Sequence, residues 1–468
     1  MAKAWMKWMA AGAVALVGAP AWSGLNLKLD PEGSRRLEIG ADEQMRMEHY
    51  DRDIWQGPNR DVAPSTAEEG PAVDYLRTRE RVWGKLTLSP DTFVYGRLVH
   101  RAQYFSSRDT GESNNGTGAP WRWPDEVILD NLYLNMESIG GSGWSLRAGR
   151  FDLLDEKGKP LFGNGMVLLD GTPRDGGRSL YFDGVLATYR PDNERDTFRL
   201  AALYGDSKEW LYAINDQDRS LRRGDTWIGG GSWVHSFCKE FNTELYYFHV
   251  DINDSISERE NAQLEIPGIR LFGSPHKQID YSVEYAHQFG HYQGGTAGGA
   301  MQDCAGSMLD ARLTLKSLEG TWLEPVLKPE FTWLSGNKTS SGGTYEGWHP
   351  VYAEYPIWRE ELYPQINRGA WTNLLQYRLG LDLTARKGDK AGVGKVTVSP
   401  AWTTMYADRG ELGTGGGTHI GEMVSLFIDY KATSWWSISL QCAEFMPGNY
   451  YADGHAGEWV RLEMTFTY

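Results

Sequence analysis

Apolar and polar residues alternate with a period of two through nearly the whole chain. The last nine residues run Val460-Arg461-Leu462-Glu463-Met464-Thr465-Phe466-Thr467-Tyr468, with apolar side chains at every second place. That is the period of a strand with one greasy and one wet face. Leu375, Tyr377, Leu379, Leu381 and Leu383 form another stripe, interrupted by Gln376, Arg378 and Asp382. Leu37, Ile39 and Ala41 alternate with Arg36, Glu38 and Asp42, and Trp436, Ile438 and Leu440 with Ser437, Ser439 and Gln441. Eighteen such segments follow one another, from Arg36–His49, Tyr75–Leu88 and Thr92–Phe105 through Trp322–Leu334 and Ala370–Ala385 to Trp459–Tyr468, with almost no helical periodicity. Gln263–Phe272 carries Pro267, which weakens it as a strand.

The connections alternate in length. Tyr50–Asp74 is long and Ser89–Asp91 tight; Ser106–Pro124 is long and Ser138–Gly143 short; Asp152–Gly177 is long and Pro191–Arg195 short. The parity continues through Ser335–Gly369 to Ala432–Ser434. Outer-membrane barrels have short periplasmic turns, longer extracellular loops and an even strand number. The expected fold is therefore all-β: a single antiparallel transmembrane β-barrel of eighteen strands, with both termini periplasmic. No internal repeat of the kind a propeller needs is present.

The amino terminus agrees with export. Lys3 and Lys7 precede the short apolar run Ala10–Ala19, and Ala21-Trp22-Ser23 supplies the small residues of a cleavage site. The expected division is a signal peptide over 1–23 and a barrel over 24–468. The apolar run is about half the ~20 residues of a spanning helix. Removing it takes away Lys3 and Lys7, so the net charge moves by two, from -15 to -17. That balance argues against nucleic acid. Three cysteines, Cys238, Cys304 and Cys442, are too few and too scattered for a disulfide framework or a metal cluster.

In a barrel the polar register faces the lumen, and here it carries arginine at alternate places. Arg77, Arg79 and Arg81 share one face of their strand, with Glu80 breaking the opposite register; Arg97 and Arg101 share a face of the next. Adjacent strands lie about 4.8 Å apart, so these side chains occupy one wall. Stacked like charges cost energy unless acids or an anionic ligand answer them. Two readings stay open: an arginine–acid network that stiffens the wall, with Asp42 and Glu38 as partners, and a direct role in passing an anion.

Several segments are similar to a known family. Gly149-Arg150-Phe151, then Leu169-Asp170-Gly171-Thr172-Pro173-Arg174-Asp175-Gly176-Gly177-Arg178, then Tyr181-Phe182-Asp183-Gly184 resemble the alginate-export outer-membrane proteins. So do Leu76-Arg77-Thr78-Arg79 and Phe445-Met446-Pro447-Gly448-Asn449-Tyr450. Phe151 stands where that family usually has Gln. The resemblance implies an eighteen-stranded barrel whose electropositive constriction passes an anionic polysaccharide. It makes Arg77, Arg79, Arg97, Arg150, Arg174 and Arg178 candidate pore-lining cations, and Asp170 and Asp183 their acidic partners; Arg81 and Arg101 join them from the register.

Other chemistry is poorly supported. Gly229–Val234 lacks the second glycine of a nucleophile elbow. His235-Ser236 has no evident acidic orienter, Asp251–Asp254 lacks calcium-loop spacing, and Gly413–Thr418 reads as a flexible tip. No catalytic residue, cofactor or metal site is expected. The expected function is passive passage of an anionic solute such as a polyuronate or its oligosaccharides. The expected partners are outer-membrane lipid and, through the carboxy-terminal strand, the barrel-assembly machinery. An unspecific, structural or adhesive barrel and a hydrolase on a barrel scaffold are the alternatives.

Overall fold

The structure is a computed structural model that describes residues 24–51, 73–105, 121–122, 127–155, 158–168, 181–206, 208–209, 219–220, 225–253, 261–293, 300–317, 320–337, 343–351, 372–409, 415–451 and 456–468. The proposed signal peptide, 1–23, lies outside them. Among the described residues eighteen long strands form one antiparallel sheet that closes on itself. They are β1 Arg36–Asp51, β2 Val73–Ser89, β3 Thr92–Phe105, β4 Val127–Met136, β5 Trp144–Phe151 and β6 Phe182–Tyr189. Next come β7 Asp196–Gly205, β8 Asp225–Cys238, β9 Phe241–Asn253, β10 Ala262–His276, β11 Ile279–Tyr292 and β12 Gln302–Lys316. The last six are β13 Val326–Leu334, β14 Leu374–Arg386, β15 Val396–Tyr406, β16 His419–Lys431, β17 Trp436–Pro447 and β18 Gly457–Thr467. Each pairs with its sequence neighbour, and β18 pairs with β1 from Asp42↔Thr467 to Asp51↔Glu458. The short-turn end is the periplasmic end and the long-loop end the extracellular one.

The two faces are as the alternation requires. On β14, Tyr377 is 48% and Leu379 44% exposed, while Gln376 between them is 1% exposed. Trp144, Tyr189, Phe198 and Trp233 stack side by side across β5 to β8 at 4.8, 6.2 and 6.2 Å. They stand on the outward face near the short turns, where an aromatic girdle meets the interface.

Three local features depart from the simple pattern. A short strand, Leu25–Lys28, folds back onto Arg36–Ile39 of β1 and prolongs the seam below β18. Its alternation covers only four residues, too few to stand out in sequence. Trp322, expected at the start of a strand, lies in the turn before β13 and is exposed. Pro267 sits inside β10, and the β10–β11 ladder skips from Glu265↔Phe289 to Gly268↔Ala286 because proline has no N–H to donate.

The end of β18 is held from outside. Phe466 belongs to the outward register yet is buried, flanked by Trp435 and Trp436 at 6.2 and 6.0 Å. Exchanging both Phe466 and Tyr468 for Asp puts charge on the seam's membrane face. The expected outcome is loss of heat-modifiable barrel from outer-membrane fractions. Normal levels of folded barrel in that variant would show that the terminal aromatics are dispensable.

Candidate functional site: the arginine wall and the infolded loops

Strand register places Arg77, Arg79 and Arg81 of β2 opposite to exposed Val82, and therefore on the lumen side. Arg97 and Arg101 of β3 lie on the same side, opposite to Leu98. The wall extends further than sequence reasoning placed it. Arg46 of β1 stands directly across from Arg77, and Arg79 from Arg101. Arg461 of β18 is 0% exposed. The alternation of Gln44, Arg46 and Glu48, and of Arg461 and Glu463, held the signal for these residues.

Such a stack survives only if acids answer it. The Arg81 Nε donates to both oxygens of Asp42, at 2.7 and 2.9 Å. Arg46 pairs with Glu463 at 2.8 Å. Glu48, fully buried, receives Arg461 at 3.1 Å and lies 3.8 Å from Arg77. Arg97 binds Asp130 through two hydrogen bonds of 2.9 and 2.8 Å and reaches Asp152 at 2.9 Å. Asp130 reaches the lumen through a bulge: the β3–β4 register shifts between Arg97 and Leu98, so both Asp130 and Asn131 point inward. Asp42 thus partners the ladder as expected. Glu38 does not; it lies nearer the short-turn end, 3.8 Å from Arg36.

Arg150 and Asp183 are placed elsewhere. Arg150 shares its register with Leu132, which is 49% exposed, and Asp183 shares that of Val185, 42% exposed. Both therefore lie on the outward face, where Arg150 grips Asp183 at 2.9 and 3.0 Å and covers the Tyr181 ring. The pore-facing place that the motif implied falls instead to Arg147 and Phe151, one register away. Phe151 is buried edge-on to Tyr133. Arg174, Arg178 and Asp170 lie outside the described residues. His235 does have an acidic partner, Asp196 at 2.7 Å. Ser236 follows it in the same strand and points to the opposite face, so the two cannot form a nucleophile–base pair.

Two long loops turn into the lumen. Residues 152–155 and 158–168 lie between β5 and β6, and 162–164 reach the wall formed by β9 to β12. Asn164 is the hook: its N–H donates to Glu284, its Nδ2 to Asp310 at 2.8 Å, and its Oδ1 accepts from Ser282 at 2.7 Å. Arg270 donates to the Gly163 carbonyl at 2.6 Å and pairs with Glu244 at 2.7 Å. Phe162 packs edge-on to Phe248 at 5.0 Å. Gly163 has φ 54, and a Cβ there would collide with the Glu284 carboxylate. Residues 343–351, between β13 and β14, fold over β11 and β12. Gln288 exchanges two hydrogen bonds with the His349 backbone, at 2.7 and 2.8 Å. Trp348 is fully buried beneath. Burial pushes the His349 imidazole down to about 4.

A closed antiparallel barrel with short turns at one end, a polar lumen and infolded loops defines an outer-membrane porin. Residues 59–459 match the family model described as alginate export, well over half of the chain, and the chain belongs to that family. Solved barrels share the fold. Pseudomonas aeruginosa OpdK, solved with vanillate, superposes with a TM-score of 0.54 at 11% identity, covering 92% of this chain and 98% of that one. Acinetobacter baumannii OccAB2 gives 0.52 at 14% identity, with 92% and 98% covered. Pseudomonas aeruginosa OccK5 (OpdH) gives 0.51 at 12%, with 92% and 97% covered. No curated protein matches the chain.

The loops generate two expectations. Gly163→Val should unseat the hook, since each hydrogen bond to a charged partner is worth about 2 kcal/mol, and a β-branched residue resists a positive φ. Single-channel conductance should rise with the barrel still heat-modifiable; unchanged conductance would show that the loop does not narrow the path. His349 is neutral when buried, so its contribution to loop docking is complete above its ordinary value of 6.5 and is lost as pH falls from there towards about 4. Open-channel noise should increase over that window and should lose its pH dependence in His349→Gln. Noise that is flat with pH in the native protein would rule out this coupling.

Proposed function

We propose that the protein is a passive channel for an anionic solute, of the class of an acidic polysaccharide or its oligosaccharides, with the arginine wall as its selective element. The observation that carries this reading is the concentration of inward arginines across β18, β1, β2 and β3, interleaved with carboxylates: Arg461, Arg46, Arg77, Arg79, Arg81, Arg101 and Arg97. The family match to alginate export supports the solute class. Guanidinium groups replace part of a carboxylate's hydration with paired hydrogen bonds, which suits a solute that must shed water to pass. Charges in a narrow lumen are screened less than those on exterior loops, where the screening length is about 8 Å. The wall therefore dominates ion choice although the chain as a whole is acidic. No energy-coupling step is invoked, and no catalysis. The proposed assembly partner is the barrel-assembly machinery, acting on β18.

A second reading has an observation of its own. Arg81 and Arg97 are each engaged by carboxylates of the wall itself. On that reading the network stiffens the barrel, and the channel is unspecific.

Substituting Ser for both Arg79 and Arg97 separates them. The expected result is a reversal potential shifted away from anions and weaker block by oligouronates, with heat-modifiability retained. A native channel that prefers cations, or a variant with an unaltered reversal potential, would return the arginines to a stiffening role.

A further inference from the structure

The arginines of β1 to β3 face acids. A second group forms no ion pair among the described residues, although Glu137 and Asp155 line the same chamber and Glu244 acts electrostatically on Arg199. Arg147, Arg190 and Arg199 line a lumenal chamber of about 610 Å³ between the infolded loop and the periplasmic turns. Its floor is the turn Glu137–Gly143, and Asp155 and Leu161 of the infolded loop close it from above. Among the described residues none of the three has a carboxylate within ion-pair distance. Asp155 instead accepts from the Lys159 N–H at 2.8 Å in its own turn, and Glu137 from the Asn135 side chain at 3.3 Å. Arg147 is positioned by a hydrogen bond from its Nε to the Asn135 Oδ1 at 3.5 Å and by ring stacking, with its guanidinium carbon 4.8 Å from the Tyr133 ring centre and 5.7 Å from that of Phe151.

Register arranges the three as a staircase. Ser145, Thr188 and Arg199 share one cross-strand row on β5, β6 and β7. Arg147 stands two residues above that row on β5. Arg190 stands two below it, bonded through its N–H to the Gly143 carbonyl at 2.9 Å. Two residues of strand span about 6.7 Å. Three cations thus climb from the periplasmic mouth towards the interior of the lumen over about 13 Å. An aromatic row runs on from the top step towards Arg97: Tyr133, Tyr95 at 5.4 Å and Trp83 at 6.2 Å from Tyr95. Hydroxyls of Ser145 and Thr188 flank the steps.

We infer that this chamber is a periplasmic-side docking site for a linear oligoanion, whose successive carboxylates take the arginine steps and whose rings pass onto the aromatic row. The inference rests on the anionic-solute channel proposed above. Guanidiniums without an ion pair, with Arg147 set beside aromatic faces, answer both halves of the chemistry an acidic sugar presents: forks for its carboxylates and rings for its C–H faces. The wall of β1 to β3 then passes what the chamber has first collected.

The test is block of the full barrel in planar bilayers by a short oligogalacturonate, added to one side at a time. Substituting Ser for both Arg147 and Arg199 should weaken block from the short-turn side about tenfold or more. Block from the long-loop side should stay within about twofold. A Lys pair at the same positions, which keeps the charge but loses the fork, should fall between. If the Ser pair does not yield heat-modifiable barrel, Arg190→Gln, on an exposed turn, should give a smaller loss with the same sidedness. Native-like block in the Ser pair or in Arg190→Gln, or equal loss from both sides, would overturn the docking site and leave the channel reading standing. Absence of block from either side in the native barrel would instead overturn the channel reading itself.

Discussion

In hydrocarbon a backbone N–H or C=O without a partner costs several kcal/mol, so a sheet that crosses a membrane must have no free edge. The seam between β1 and β18 meets this demand: ten register pairs join residues 42–51 to 458–467. Once the sheet closes, every strand has one face in lipid and one in a lumen. The period-two alternation sorts side chains between them without further instruction. Charge then accumulates where water is, and the inner wall becomes an electrostatic problem that the rest of the lumen solves.

The solution is local and cross-strand. Arginines that face one another, Arg46 with Arg77 and Arg79 with Arg101, are interleaved with carboxylates from other strands. Glu48 serves Arg461 and lies near Arg77, so one acid joins three strands. The bulge at Asp130 adds an acid where simple alternation would turn it outward. Removing an acid from such a network leaves a buried charge uncompensated, which is far costlier than losing an exposed pair. Where the wall passes to β5, β6 and β7 the pattern changes: the arginines there form no ion pair among the described residues, and Arg147 stands on the Tyr133 and Phe151 rings.

Strand number, orientation and the inner face of β2 and β3 were legible because a strand's period is a property of contiguous residues. Arg77 and Arg81 could be assigned from their neighbours alone. Arg150 could not. Its motif is shared with a family, but the face it occupies is decided by pairing with Leu132 and Asp183, two strands that sequence spacing does not align. Glu80 reads as a break in an apolar stripe, and pairing explains it: it stands on the outward face opposite His100, at 2.7 Å from its Nδ1. The infolded loops were invisible for a different reason. Asn164 and Glu284 are 120 residues apart, and nothing periodic joins them.

The hook also has a mechanical meaning. A barrel of this width is a thin shell, and lateral pressure in a membrane tends to flatten it into an ellipse. Gly163 and Asn164, carried across the lumen from β5, are fastened to β10, β11 and β12 through Arg270, Ser282, Glu284 and Asp310. Any deformation that draws those walls apart must first break these bonds. The loop is thus a tie rod, and the cross-section of the shell is held by the side chains that fasten it to the far wall.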